Sequence, residues 1–227
     1  MIGRALSEAL AVLAPPSCPG CGDALLADGA PLCPACVRAL PWLPRRTCPR
    51  CALPSHRGRA CPAAAAAFAR AWSPLAYDGV ARRLVGALKF RGALPVADVM
   101  AAHVAANLPP DLRDQLAIVP VAAQPWRRRR RGFDSADELA GALGRRLGAP
   151  VVRCLARRDR HGRQVGASRR QRRREDRLVV ELTAAPPGRV LVVDDVHTTG
   201  ATLDACARAL ADGGCAQVAA VTYARTL

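Results

Sequence analysis

Val190-Leu191-Val192-Val193-Asp194-Asp195-Val196-His197-Thr198-Thr199-Gly200-Ala201-Thr202 is the stretch on which the reading of this chain turns. Four consecutive aliphatic residues before Asp194 have no polar face, the pattern of a strand buried on both sides of a parallel sheet. Such a strand delivers two carboxylates to its carboxyl end, where open α/β sheets bind ligands. Thr198, Thr199, Gly200, Ala201 and Thr202 combine small side chains, hydroxyls and a glycine, so backbone N–H groups can converge on an anion where the next helix starts. A phosphate suits that cradle. The two acids suit the hydroxyls of a ribose, because a carboxylate accepts hydrogen bonds from a cis-diol and can share a divalent cation with it.

Working outward, the helix opened by this loop runs over Ala201–Asp212, stops at Gly213-Gly214, and is followed by a strand over Gln217–Tyr223. Upstream, Leu75–Tyr77 reads as a short strand, and apolar residues recur at helical spacing over Val80–Phe90 and Leu94–Leu108. Leu116–Val119, closed by Pro120, has the pattern of a buried parallel strand. A helix is expected over Ser135–Leu147, and strands over Val151–Leu155 and Leu178–Val180. Strands alternating with helices predict an α/β domain with a mostly parallel central sheet flanked by helices, here over 72–227.

The first 66 residues have a different character. Seven of the ten cysteines, Cys18, Cys21, Cys33, Cys36, Cys48, Cys51 and Cys61, fall in a segment rich in Cys, Pro, Gly and Arg that lacks apolar periodicity. Metal must replace the missing core there. Cys18-Pro-Gly-Cys21 and Cys33-Pro-Ala-Cys36 are two C-x-x-C knuckles with the spacing of a tetrahedral thiolate zinc site. Cys48-Pro-Arg-Cys51 begins a second copy with Cys61 as its partner, but Ala64 occupies the expected fourth position; His56 is the candidate substitute. Cys33, Cys36, Cys48 and Cys51 share the spacing of the first tetrad, so the pairing is open between the two groupings. Residues 1–66 are accordingly expected to form an N-terminal helix and zinc ribbons. An alanine-rich connector over Ala63–Ala71, helical by composition, leads out of them. Cys154, Cys206 and Cys215 are read as small core residues.

The net charge is +16, and all of the 34 basic residues except Lys89 are arginine. That balance invites a polyanion, nucleic acid or phosphorylated metabolite, although arginine and alanine abundance also follow from compositional bias. Ile2–Leu13 is apolar but too short to span a bilayer, and Glu8 interrupts it; an amphipathic helix, no membrane insertion and a cytoplasmic location are expected. Arg157–Arg177 holds ten arginines between two strands. It reads either as a lid excluding water from a reaction or as an arm tracking single-stranded nucleic acid, and it lacks aromatic stacking partners.

The strand-and-loop stretch is similar to the phosphoribosyl-pyrophosphate (PRPP) signature of type I phosphoribosyltransferases, with His197 standing where the pattern has an aliphatic residue. Together with Lys89-Phe90-Arg91-Gly92, Pro120-Val121-Ala122, and Arg131-Gly132-Phe133-Asp134-Ser135-Ala136, the chain resembles the ComF family, competence-associated and phosphoribosyltransferase-like. Ala122 replaces the second proline of P-V-P, Asp134-Ser135 replaces Asn-Gln, and Glu175 replaces an asparagine. The resemblance implies a type I phosphoribosyltransferase fold with an N-terminal double zinc ribbon. It implies that Asp194 and Asp195 hold the ribose hydroxyls, that Thr198, Thr199, Gly200, Ala201 and Thr202 hold the 5′-phosphate, and that Val121, Ala122, Lys89 and Arg131 serve the pyrophosphate side. Zn²⁺ would be structural and Mg²⁺ would accompany PRPP. The implied activity is phosphoribosyl transfer to an acceptor, in nucleotide metabolism or DNA uptake during natural transformation. The alternative is a catalytically silent relative that contacts single-stranded nucleic acid or a DNA-uptake helicase or channel protein.

Overall fold

The computed structural model describes residues 17–25, 30–56, 58–113, 117–157 and 178–227. The helix expected over Ile2–Leu13 and nearly all of the arginine-rich stretch, Glu175 included, lie outside them. In chain order the elements are α1 (Pro34–Arg38), β1 (Arg70–Trp72), β2 (Leu75–Ala76), α2 (Gly79–Arg91), α3 (Pro95–Asn107), β3 (Ala117–Pro120), α4 (Pro125–Arg131), α5 (Ser135–Leu147), β4 (Leu155–Arg157), β5 (Val180–Leu182), β6 (Arg189–His197), α6 (Ala201–Asp212) and β7 (Gln217–Arg225). A 3₁₀ turn at Pro110–Leu112 precedes β3.

β6 lies between β3 and β7, and β7 also pairs with β1 and β2, every one of these pairings parallel. The aliphatic run of β6 is buried on both faces because helices cover both. Leu191 and Val193 join Ile118, Val221 and Tyr223 in a cluster with Leu84, Met100 and Leu143 from α2, α3 and α5. Val190 and Val192 join Val119, Val218 and Ala220 in a second cluster with Leu203, Cys206 and Leu210 from α6. The α/β architecture expected from the sequence is therefore the one observed.

Local signals position the helices. Asp78 caps α2 by accepting from the Gly79 N–H at 2.7 Å, and Gly92 ends it in the left-handed region at φ 64°. Asp134 caps α5 by accepting from the Ala136 and Asp137 N–H groups. The Asp-Ser that departs from the family pattern thus still supplies a side-chain cap.

Three local expectations need correction. Residues 63–71 are not helical: they turn and then form β1, because the Arg50 guanidinium takes the carbonyls of Ala63, Ala64, Ala66, Phe68 and Ala69, acceptors a helix would need internally. The strand expected over Val151–Leu155 reduces to one parallel bridge from Val151 to Ile118, and the one expected over Leu178–Val180 shifts to β5. β4 and β5 pair antiparallel as a separate two-stranded ribbon, Leu155 opposite Leu182 and Arg157 opposite Val180. Short aliphatic runs do not distinguish a sheet edge from such a ribbon. Among the described residues, no helix is long and apolar enough to cross a membrane.

Candidate ribose-phosphate site and metal ribbons

β6 continues past Val193, so Asp194 and Asp195 sit on its last residues, side by side on opposite faces. Asp195 is 3% exposed. One carboxylate oxygen meets Lys89 Nζ at 2.7 Å, and the other accepts from Ser135 Oγ–H at 2.6 Å. Lys89 stands in the last turn of α2 and Ser135 opens α5, so three elements converge on this carboxylate. Asp194 is partly buried and accepts from the Asp195 N–H at 2.8 Å. Burial and the adjacent Asp195 carboxylate push the Asp194 carboxyl well above the usual carboxylate range, with Lys89 opposing them. The paired acids are thus held with a cation in reserve.

Beyond them Thr198 and Thr199 are exposed, and Gly200 opens α6 at φ 83°. The first amides of an α-helix have no intrahelical acceptor and sit at its positive end, so this loop offers donors of the kind an anion takes, the Ala201 N–H donating here to Thr199 Oγ1 at 3.3 Å. Gly200 is doubly required, since a Cβ there would approach His197 Nε2 to 2.8 Å in addition to the left-handed backbone. His197 is 2% exposed, edge-on to Phe68 with ring centroids 6.3 Å apart. Burial and the Arg225 charge lower its pKa to about 4, so the ring is neutral. The departure from an aliphatic residue here is a buried ring packed against the phosphate loop.

Val121 and Ala122 follow β3 with both side chains buried in the α6-side cluster. The Val121 N–H donates to the Val193 carbonyl at 3.0 Å, and Ala122 in place of proline retains an N–H, which meets the Cys206 sulfur. Arg131 lies with its guanidinium 5.1 Å over the Phe90 ring. Lys89, Phe90, Gly92, Trp126, Arg130, Arg131 and Phe133 line an open cavity of about 700 Å³. Phe90 is 74% exposed and Trp126 49%, so stacking groups absent from the long arginine stretch are present here instead.

The cysteines gather into two clusters. Ligand atoms of Cys18, Cys21, Cys33 and Cys36 lie within 4.8 Å of one another, and so do those of Cys48, Cys51, His56 and Cys61. The geometry thereby groups Cys18 and Cys21 with Cys33 and Cys36, and brings His56 into the second cluster. Cys21 and Cys33 sulfurs are 3.6 Å apart and those of Cys48 and Cys61 3.8 Å. A zinc with thiolates at ~2.3 Å separates them by ~3.8 Å, whereas a disulfide needs ~2 Å. The donors thus fit tetrahedral zinc. Both leading knuckles share one backbone design: Gly22 and Ala52 N–H groups donate to the Cys18 and Cys48 carbonyls, each at 2.8 Å, both residues at positive φ. Gly20 is sterically fixed, because a Cβ would stand 2.7 Å from Cys36 Sγ.

Four contributors escaped the sequence reading: Ser135 against Asp195, the Phe90–Trp126 face, Arg50 and Arg225. Ser135 and Asp195 are sixty residues apart, and no local pattern announces a hydroxyl that turns inward. An exposed aromatic beside arginine carries a signal, but Phe90 also fits the end of an amphipathic helix.

A parallel sheet with an acid pair running into a helix-capping glycine loop, preceded by paired cysteine knuckles, defines a phosphoribosyltransferase-like protein with a zinc-ribbon segment. Residues 130–226 match the phosphoribosyl transferase domain and residues 9–65 the double zinc ribbon domain. Competence protein F of Haemophilus influenzae is 37% identical over 99 residues, 41% of this chain and 43% of that relative, so the match spans less than half of either protein. The orotate phosphoribosyltransferase of Aeropyrum pernix is 26% identical over 62% of each chain, with a TM-score of 0.35. The two domain matches and the competence relative support the resemblance to the ComF family.

Proposed function

We propose that the chain binds PRPP, or a related ribose 5-phosphate, and transfers the phosphoribosyl group to an acceptor. The observation that carries this reading is the Asp194–Asp195 pair two residues before the end of a central strand that runs into the Gly200 loop of α6. Asp194 and Asp195 take the 2′ and 3′ hydroxyls, and Thr198 to Thr202 the 5′-phosphate. Lys89, Arg131 and the backbone at Val121 and Ala122 face the pyrophosphate, with Mg²⁺ supplying charge neutralisation to that leaving group. The C1–O bond breaks with its electron pair leaving on pyrophosphate, and an acceptor lone pair forms the new bond to C1. Stabilising the developing charges, with no protein nucleophile, is what these residues are suited to do. Lys89 pairs with Asp195 at 2.7 Å and turns to the incoming phosphates as the diol takes its place. Cys18, Cys21, Cys33 and Cys36, and separately Cys48, Cys51, His56 and Cys61, hold structural zinc in this reading. The cellular setting is cytoplasmic, in DNA uptake or nucleotide metabolism.

A second reading, nucleic-acid contact, is favoured by the exposed Phe90 and Trp126 beside Arg130 and Arg131. Titration calorimetry of zinc-replete protein with PRPP, with and without Mg²⁺, tests the first reading. Micromolar, Mg²⁺-linked binding that disappears in Asp194→Asn/Asp195→Asn supports it. Well-folded protein that binds no PRPP but quenches Trp126 fluorescence with a single-stranded oligonucleotide supports the second.

A further inference from the structure

Arg225, at the end of β7, is 4% exposed and lies opposite His197 in the sheet register. Its Nε donates to the Cys51 carbonyl at 2.8 Å, inside the second metal knuckle. Its Nη1 donates to the carbonyls of His197 at 2.8 Å and Thr198 at 2.7 Å, where the strand enters the phosphate loop, and to Thr226. All four of these acceptors are neutral, which is a poor setting for a buried cation. Three thiolates, one imidazole and a divalent ion carry one net negative charge, so metal in the second cluster would place a counter-charge next to this guanidinium.

The same knuckle reaches α6 by an independent route. Arg50, between Cys48 and Cys51, gathers the carbonyls of the connector after Cys61, with Phe68 and Ala66 both at 2.8 Å. That connector in turn donates from the Ala67 N–H to Asp204 at 2.7 Å, in the first turn of α6. Phe68 then sets its ring against His197, which packs on Gly200. The first cluster reaches α2 instead, through Arg83 to the Gly20 carbonyl and Arg91 to Pro19.

We propose that the second metal cluster is a wall of the phosphate site: metal held by Cys48, Cys51, His56 and Cys61 sets the conformation of the Thr198–Thr202 loop, with Arg225 as the positioning residue. The first cluster has no comparable bond to that loop among the described residues, so the two metals have unequal influence on ligand binding. The inference rests on the ribose-phosphate reading of the loop for its ligand, but not for its conformational content.

The test uses full-length protein with zinc measured per chain, PRPP affinity by calorimetry, and backbone hydrogen exchange over residues 197–204. His56→Ala is expected to lose one zinc, weaken PRPP binding about tenfold and speed exchange in the loop, with far-ultraviolet circular dichroism unchanged. Cys21→Ser is expected to lose one zinc while exchange over residues 197–204 stays as in wild type, because the first cluster bonds to α2 and not to the loop. Arg225→Met should reproduce the affinity loss with both zincs retained, and adding His56→Ala to it should weaken binding little further. That non-additivity would not arise from two separate structural defects. Retained affinity and unchanged exchange after zinc loss in His56→Ala overturn the proposal, as does strict additivity of the two substitutions. Should the wild type bind no PRPP, the ligand reading fails alone, and hydrogen exchange still decides the coupling.

Discussion

Removing the ammonium that faces Asp195 gives the sharpest check on the site. In Lys89→Met the side chain keeps most of its apolar length, but a carboxylate 3% exposed is left with Ser135 as its remaining hydrogen-bonding side chain. At 2.7 Å and an effective dielectric near 20 the gross attraction is about 6 kcal/mol. Lys89 keeps 22% of its side-chain surface exposed, so water already shares its charge and the net loss falls to about 3 kcal/mol. In a protein of this size that lowers Tm by about 6–12 °C. Asp195→Asn removes the buried charge and frees Lys89 toward solvent, for about 1 kcal/mol. The double variant should return to within about 1 kcal/mol of wild type, giving a coupling of about 3–4 kcal/mol. Urea denaturation of the four proteins at neutral pH measures the cycle. A Lys89→Met loss below about 1 kcal/mol, or a double variant no more stable than Lys89→Met, would refute the assignment of this pair as a desolvated site element.

Asp194→Asn keeps an acceptor for the Asp195 N–H while removing a carboxyl whose raised pKa makes the ligand-free fold lose stability as pH climbs from the ordinary carboxylate value through the raised one. The variant should melt higher than wild type at neutral pH, by about 2–4 °C for each kcal/mol relieved, and bind PRPP at least about tenfold more weakly in calorimetry. His197, depressed from 6.5 to about 4, gives the fold stability that is whole above pH 6.5 and drains as pH falls toward 4, to about 3 kcal/mol in all; His197→Val should abolish that slope in urea melts run across this window. Gly200→Ala should cost about 2 kcal/mol and most phosphate affinity, and pairing it with His197→Val should recover the part due to contact but not the part due to backbone conformation. Gly20→Ala, whose methyl would collide with Cys36 Sγ, is expected to reduce zinc content to one per chain by elemental analysis while leaving the second cluster filled.

The place of the acid pair near the end of β6, the glycine turn into α6 and the clustering of the first four cysteines were legible because each is carried by contiguous residues whose spacing is itself the geometry: a strand carries adjacent acids toward its end, and C-x-x-C brings two thiols together. The parallel sheet followed from β6 in the same way, since an aliphatic run with no polar face has to be covered twice. Short segments without such internal constraint were misread, and Ala63–Ala71 shows why. Its alanines favour a helix, but the carbonyls that helix would use are taken by Arg50 from a knuckle it must pass. The seat of Asp195 between Lys89 and Ser135, and the carbonyls of Cys51, His197 and Thr198 around Arg225, depend on residues tens to more than a hundred positions apart. Local spacing determines which groups can act together along a strand, loop or knuckle; which remote side chain supplies the counter-charge is decided when the elements pack, because that choice follows from burial and approach distance, and sequence separation does not encode either.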